Sequence, residues 1–152
     1  MRWCTVFSLY ELYSRLDIEL EQGPIPMRVF EFTPDDFGNR SSEESIVVFR
    51  SEKTDCADLL RFYLQCLKRI YADLDYPARD AVYEDPPQFA EIGREEADPC
   101  LRYRRLAHRP VPPMFDSQRF VRAWCAEPRW DDVQTLIEFE EAYVGFFWST
   151  SA

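Results

Sequence analysis

The chain has 152 residues, about one domain's worth, and carries 18 basic against 28 acidic residues for a formal net charge of −10. Hydrophobic residues make up 46% and aromatics 16%, which excludes disorder as the default state. The acidity argues against direct nucleic-acid binding, which needs a basic surface to release counterions, and against docking on anionic membranes.

Arg2 followed by an apolar stretch has the outline of a secretory leader, but Glu11 interrupts it and no small-residue cleavage site follows. No apolar run is long enough to span a bilayer as a helix. A cytoplasmic protein is expected. After a short N-terminal strand, Ser8 and Glu11 stand at capping-box spacing. Leu9, Leu12, Tyr13, Leu16 and Leu20 then recur at helical steps until Gly23 and Pro24 stop them. The runs 27–33 (MRVFEFT) and 45–50 (SIVVFR) are β-branched and aromatic, and a loop rich in turn formers separates them. They predict two antiparallel strands, apolar on both faces and therefore covered on both.

The segment from Asp55 to about Leu74 predicts a helix capped by Thr54. Cys56, Leu59, Leu60, Tyr63, Leu67, Ile70, Tyr71 and Leu74 form one broad apolar face, and Asp55 and Asp58 complement the positive end of the dipole. Residues 76–115 hold seven of the eleven prolines, so an irregular connection with one short helix around Gln88–Ala97 is expected. A further amphipathic helix is expected from Ser117 to about Ala126, with Phe120, Val121, Trp124 and Cys125 inward. The remainder reads as a hairpin over Val133–Glu140 and Tyr143–Thr150, with Ile137 and Phe139 on one face and Leu136, Glu138 and Glu140 on the other. The order β-α-β-β-α-loop-α-β-β implies a single α+β domain over 1–152. Its antiparallel sheet would have about four to five strands, packed by two to three helices on one side.

Chemistry-bearing motifs are sparse. Cys4, Cys56, Cys66, Cys100 and Cys125 are odd in number, lack CxxC spacing and share the chain with one histidine, so neither a zinc site nor a disulfide framework is expected. The carboxylate pairs Asp35–Asp36, Glu43–Glu44, Glu95–Glu96, Asp131–Asp132 and Glu140–Glu141 fall mostly in predicted turns. The four glycines are isolated, so no phosphate-binding loop exists. His108 and Cys100 are the one base–nucleophile combination on offer, without a nucleophile elbow or thiol-protease signature around them. The basic run Arg102, Arg104, Arg105 and Arg109 is read as neutralised by the acidic residues before it. No metal or cofactor is expected.

What remains is acidity interleaved with rings. Glu138 and Glu140 on the polar side of a strand, with Asp131 and Asp132 beside Trp130, form a candidate partner-binding surface for a basic protein. Charge complementarity raises association rates and aromatic anchors supply binding energy. In its small size, acidity, ring content and closing hairpin LIEFEEAYVGFFWSTSA, the chain resembles bacterial immunity proteins, the inhibitors encoded beside polymorphic or contact-dependent toxins. The resemblance is to a class and assigns no residue a role. It implies a non-enzymatic protein that binds a cognate toxin or effector and occludes its active site. Two other readings are an inhibitor that mimics nucleic acid, its carboxylates standing in for phosphates, and a small hydrolase or transferase using Cys100 or His108. The ring-rich hairpin is also a candidate homodimer edge.

Overall fold

Helix α1 (Leu9–Glu21) opens as the Ser8–Glu11 spacing predicts, with the Glu11 backbone N–H donating to Ser8 Oγ at 3.1 Å. In the computed structural model, residues 6–32, 44–72, 74, 76–97, 119–126 and 132–150 are described, and the structural statements below concern these. Beyond α1 they form β1 (Arg28–Phe32), β2 (Glu44–Glu52), α2 (Leu59–Tyr71), α3 (Ala78–Glu84), β3 (Phe89–Ile92), β4 (Phe120–Ala126), β5 (Asp132–Phe139) and β6 (Ala142–Thr150). A single helical turn at 94–97 follows β3. The protein is α+β, with one antiparallel six-stranded sheet in the order β1-β2-β6-β5-β4-β3. A β1–β2 hairpin and a β3–β4–β5–β6 meander thus meet at the β2–β6 seam.

Both sheet faces are buried, and the period-2 alternation sorts side chains between them. Val47 and Phe49 of β2, Trp124 of β4, Leu136 of β5 and Tyr143 and Phe147 of β6 belong to the core that all three helices cover. Ile46, Val48, Ala123, Ile137, Val144 and Phe146 form a second core on the opposite face, joined by Ala97 of the 94–97 turn. The division of β5 between Leu136 on one face and Ile137 and Phe139 on the other agrees with the sequence pattern. A register shift between Phe120 and Arg122 places Phe120 opposite Phe139 and Arg122 opposite Glu138. This bulge brings Phe120 into the second core.

Three sequence expectations are corrected. Residues 120–126 are strand β4, not helix: with both faces buried, apolar residues at consecutive positions no longer alternate and imitate a helical stripe. Residues 89–92 are strand β3, paired with β4, and only 94–97 of the expected Gln88–Ala97 helix is helical. These two changes raise the strand count to six. The capping residue of α2 is Asp58 rather than Thr54, because Asp55 and Cys56 donate to the Glu52 carbonyl and hold 53–56 in a turn. Within the proline-rich span the described residues include α3, whose N-cap is Pro77. Residues 6–8 are not strand, and residues 1–5 lie outside the described set.

Helix α2 is central. Phe62 through Leu67 are all buried, including Gln65, because α1 and α3 flank the helix while its inner side rests on the sheet. Gln65 Nε2 donates to the Glu19 carbonyl at 3.1 Å, which satisfies a polar group that would otherwise be orphaned in the core. The same junction is ionic at its rim. Arg15 bridges Glu19 at 2.8 Å and Asp58 at 2.7 Å, while Arg61 Nε faces Glu19 Oε2 at 3.6 Å. Gly145 lies under α2, where an added Cβ would sit 2.8 Å from Phe147 Cε2 and 3.5 Å from Cys66 Sγ.

Candidate functional site

Residues at i, i+4 and i+8 share one face of a helix, so Tyr63, Leu67 and Tyr71 form a stripe along α2. Where this stripe runs past α3 and the β4–β5 end of the sheet, it lines a cleft of about 430 Å³. Ala81, Val82 and Asp85 contribute from α3 and its C-cap, Pro86, Pro87 and Gln88 from the link to β3, and Ala126, Asp132 and Gln134 from β4 and β5. Asp85 terminates α3 with its N–H on the Ala81 carbonyl, and the two prolines that follow cannot continue a helix. Asp132 is the first residue of β5 and shares its helix-facing side with Gln134 and Leu136.

The floor of the cleft is polar, and a hydrogen bond between two of its residues helps to order it. The fully buried Tyr63 hydroxyl donates to Gln134 Oε1 at 2.7 Å. Burial pushes the Tyr63 phenol well above its ordinary value, and Tyr71, Asp132, Cys66 and Asp85 add to the rise in that order. The Tyr71 phenol is raised first by burial and then by Asp132 and Asp85. Both carboxylates therefore act electrostatically on both phenols, and the two tyrosines remain protonated through neutral pH.

That pattern fixes an alkaline limit on stability. A phenol with a folded pKa above its unfolded value supports the fold fully below the unfolded pKa, near 10, and loses that support as pH rises through the folded value. Denaturant midpoints should hold steady to about pH 9 and fall from about pH 10 upward. Tyr63→Phe should flatten that fall, and an unchanged slope in this variant would assign the alkaline sensitivity to other groups.

The sequence-predicted surface residues are distributed rather than gathered. Asp132 lines the cleft. Glu138 lies six positions further along β5, about 20 Å away at about 3.3 Å per residue. It accepts from Lys53 Nζ at 2.6 Å, and that ammonium also stands 5.2 Å from the centre of the Tyr143 ring. Glu140 is exposed beyond β5, with Arg119 Nη1 at 3.9 Å. Trp130 and Asp131 lie outside the described residues, as do Cys100, His108, Arg102, Arg104, Arg105 and Arg109.

Sequence reasoning did not single out Tyr63, Tyr71, Asp85 or Gln134. The available signal was the pair of phenols on an otherwise aliphatic stripe of α2, which read simply as core. Cys56, Cys66 and Cys125 are free thiols raised by burial, as inert interior cysteines are. Among the described residues no group of three or more His, Cys, Asp or Glu is placed to hold a metal ion, and no helix is long and apolar enough to cross a membrane. Comparison with protein-family models, with curated proteins and with solved structures gave no match to this chain.

Proposed function

We propose that the protein is a non-enzymatic binding protein that neutralises a basic toxin or effector by covering its active site, and that the cleft beside Asp132 is the centre of its contact surface. One observation carries this reading. Two carboxylates from separate elements, Asp85 and Asp132, border an open cleft with tyrosine in its wall, on a chain with a net charge of −10. Acidic groups around aromatic anchors attract a cationic partner at long range and hold it at short range. The engagement of Glu138 with Lys53 gives that carboxylate an internal role and shifts the weight of the surface toward Asp132.

Tagged wild-type protein and an Asp85→Asn/Asp132→Asn variant, retrieved from the native host at low and moderate salt, provide the test. The expected result is one stoichiometric basic protein, lost on raising salt and absent from the variant, whose own activity falls when purified wild-type protein is added back. A partner captured equally by both forms, or one whose activity is untouched, overturns the reading.

A further inference from the structure

We infer that the contact surface continues from the cleft over α3 onto the outer side of α1, where exposed rings framed by carboxylates dock a cationic, partly apolar segment of the partner protein. This rests on the binding reading above and gives it a second anchoring area. Helix α3 joins the two areas, because Ala81 lines the cleft while Arg79 and Tyr83 turn to α1.

The rings come first. Tyr13 and Tyr83 stack with centroids 5.0 Å apart and planes 4° from parallel, which ties α1 to α3. Tyr10, one turn before Tyr13, is 82% exposed, and Ile18, further along the same helix, is 60% exposed. They are the two most exposed large hydrophobic residues among those described. Both point away from Leu12, Leu16 and Glu19, the side through which α1 is buried. Scattered exposed apolar residues are ordinary on a monomer, but these two share one helix with a stacked pair of rings that is itself partly exposed.

Charge then selects the occupant. The two helices carry two cations, and both are engaged. Arg15 bridges Glu19 and Asp58 on the side of α2. Arg79 bridges Asp17 at 3.0 Å, with its guanidinium 5.5 Å from the centre of the Tyr83 ring. Glu11 and Glu21 of α1 and Asp80 and Glu84 of α3 are exposed as well, so the surface around the rings keeps a negative surplus. It repels nucleic acid, an anionic membrane and a second copy of a chain at −10 alike. It complements a protein segment that brings Arg or Lys to the carboxylates and apolar groups to the rings. The ring stack and the Arg79–Asp17 bridge hold the two helices together before binding, so little ordering is left to oppose it.

The test uses a defined probe on the intact chain: a blocked peptide of arginine and leucine, Arg-Leu-Arg-Arg-Leu-Arg, and its analogue with serine in place of leucine. Each is titrated at low salt while backbone and Tyr ring NMR signals are followed. The first peptide should shift signals of α1 and α3, and the serine analogue should bind at least about fivefold more weakly. Asp80→Lys/Glu84→Lys should weaken the first peptide by at least about tenfold, and Tyr10→Ser/Ile18→Ser by about fivefold. Circular dichroism should show both variants folded, since all four side chains are exposed. Glu31→Lys/Glu91→Lys, the same charge change on exposed residues of β1 and β3, should stay within about twofold of wild type. An equal loss in that control reduces the attraction to net charge and overturns the surface, and so does equal binding of the serine analogue. A wild-type dimer in sedimentation that Tyr10→Ser/Ile18→Ser dissociates assigns the face to self-association and overturns it as well. If the basic partner retrieved from the host is indifferent to both α1–α3 variants, this surface falls and the inhibitor reading stands. If the peptide results hold and no partner is retrieved, the inhibitor reading falls and the cation-docking surface stands.

Discussion

Leu67→Asp is expected to abolish the cooperative unfolding transition. Leu67 is 3% exposed and lies in α2, a helix buried on several sides. Removing a buried leucine forfeits about 1.5–3 kcal/mol of apolar burial. An unpaired carboxylate in its place adds a penalty of several kcal/mol, and here it would also line a cleft that Asp85 and Asp132 already line. Together these losses match the whole stability of an ordinary domain, about 5–15 kcal/mol. Far-ultraviolet circular dichroism during a thermal melt is the direct measurement. Leu67→Met, which conserves volume, should unfold cooperatively and lose less than about 1.5 kcal/mol. A sharp transition for Leu67→Asp near the wild-type temperature would mean that α2 is not the centre of the fold.

The second large effect is expected at Gly145. Glycine in a strand interior is about 0.5–1 kcal/mol worse than alanine on backbone grounds alone, so its presence in β6 calls for a steric reason. The Phe147 ring supplies it: a Cβ at 145 would stand 2.8 Å from Cε2. That ring cannot simply turn away, because Phe49 meets it edge-on at 5.6 Å and Tyr63 stacks near it at 6.4 Å. Gly145→Ala should therefore destabilise by about 1–3 kcal/mol, the usual range for overpacking. In a Phe147→Leu background the alanine penalty should shrink, since the obstructing ring atom is gone, and a double-mutant cycle in denaturant would read the coupling. Additive effects would assign the role of Gly145 to its backbone instead.

The sequence disclosed elements whose signal was local. Ser8 and Glu11 marked the start of α1, β-branched runs marked β1 and β2, and alternation marked the β5–β6 hairpin. It misread β4 because Phe120, Val121, Trp124 and Cys125 obey a helical spacing as well as a buried strand does. It missed β3 because four residues after two prolines are too short to show a period, and the strand depends on β4 for its partner. The cleft is a tertiary product in the same sense. Asp132 was visible as half of an acidic pair, but Tyr63, Asp85 and Gln134 come from three elements, and nothing in their immediate neighbours connects them. Gln65, a buried amide in an apolar helix, likewise gains its meaning only from the Glu19 carbonyl across the α1–α2 contact.

The seam between β2 and β6 has a consequence in time. Val47 pairs with Phe147, one hundred residues later in the chain, and this seam is what joins the hairpin to the meander. As the polypeptide leaves the ribosome, α1, the hairpin and α2 are all made while β2 still lacks its neighbour on that side. The inner edge of β2, with Ile46, Val48 and Phe49, must wait for the closing strand. Loop closure over such a span is slow to be repaid by contacts, and an open apolar edge is a template for association with other chains. Soluble yield in the cell is therefore expected to depend on how well the nascent N-terminal half is shielded until β6 emerges, and an added chaperone should raise it.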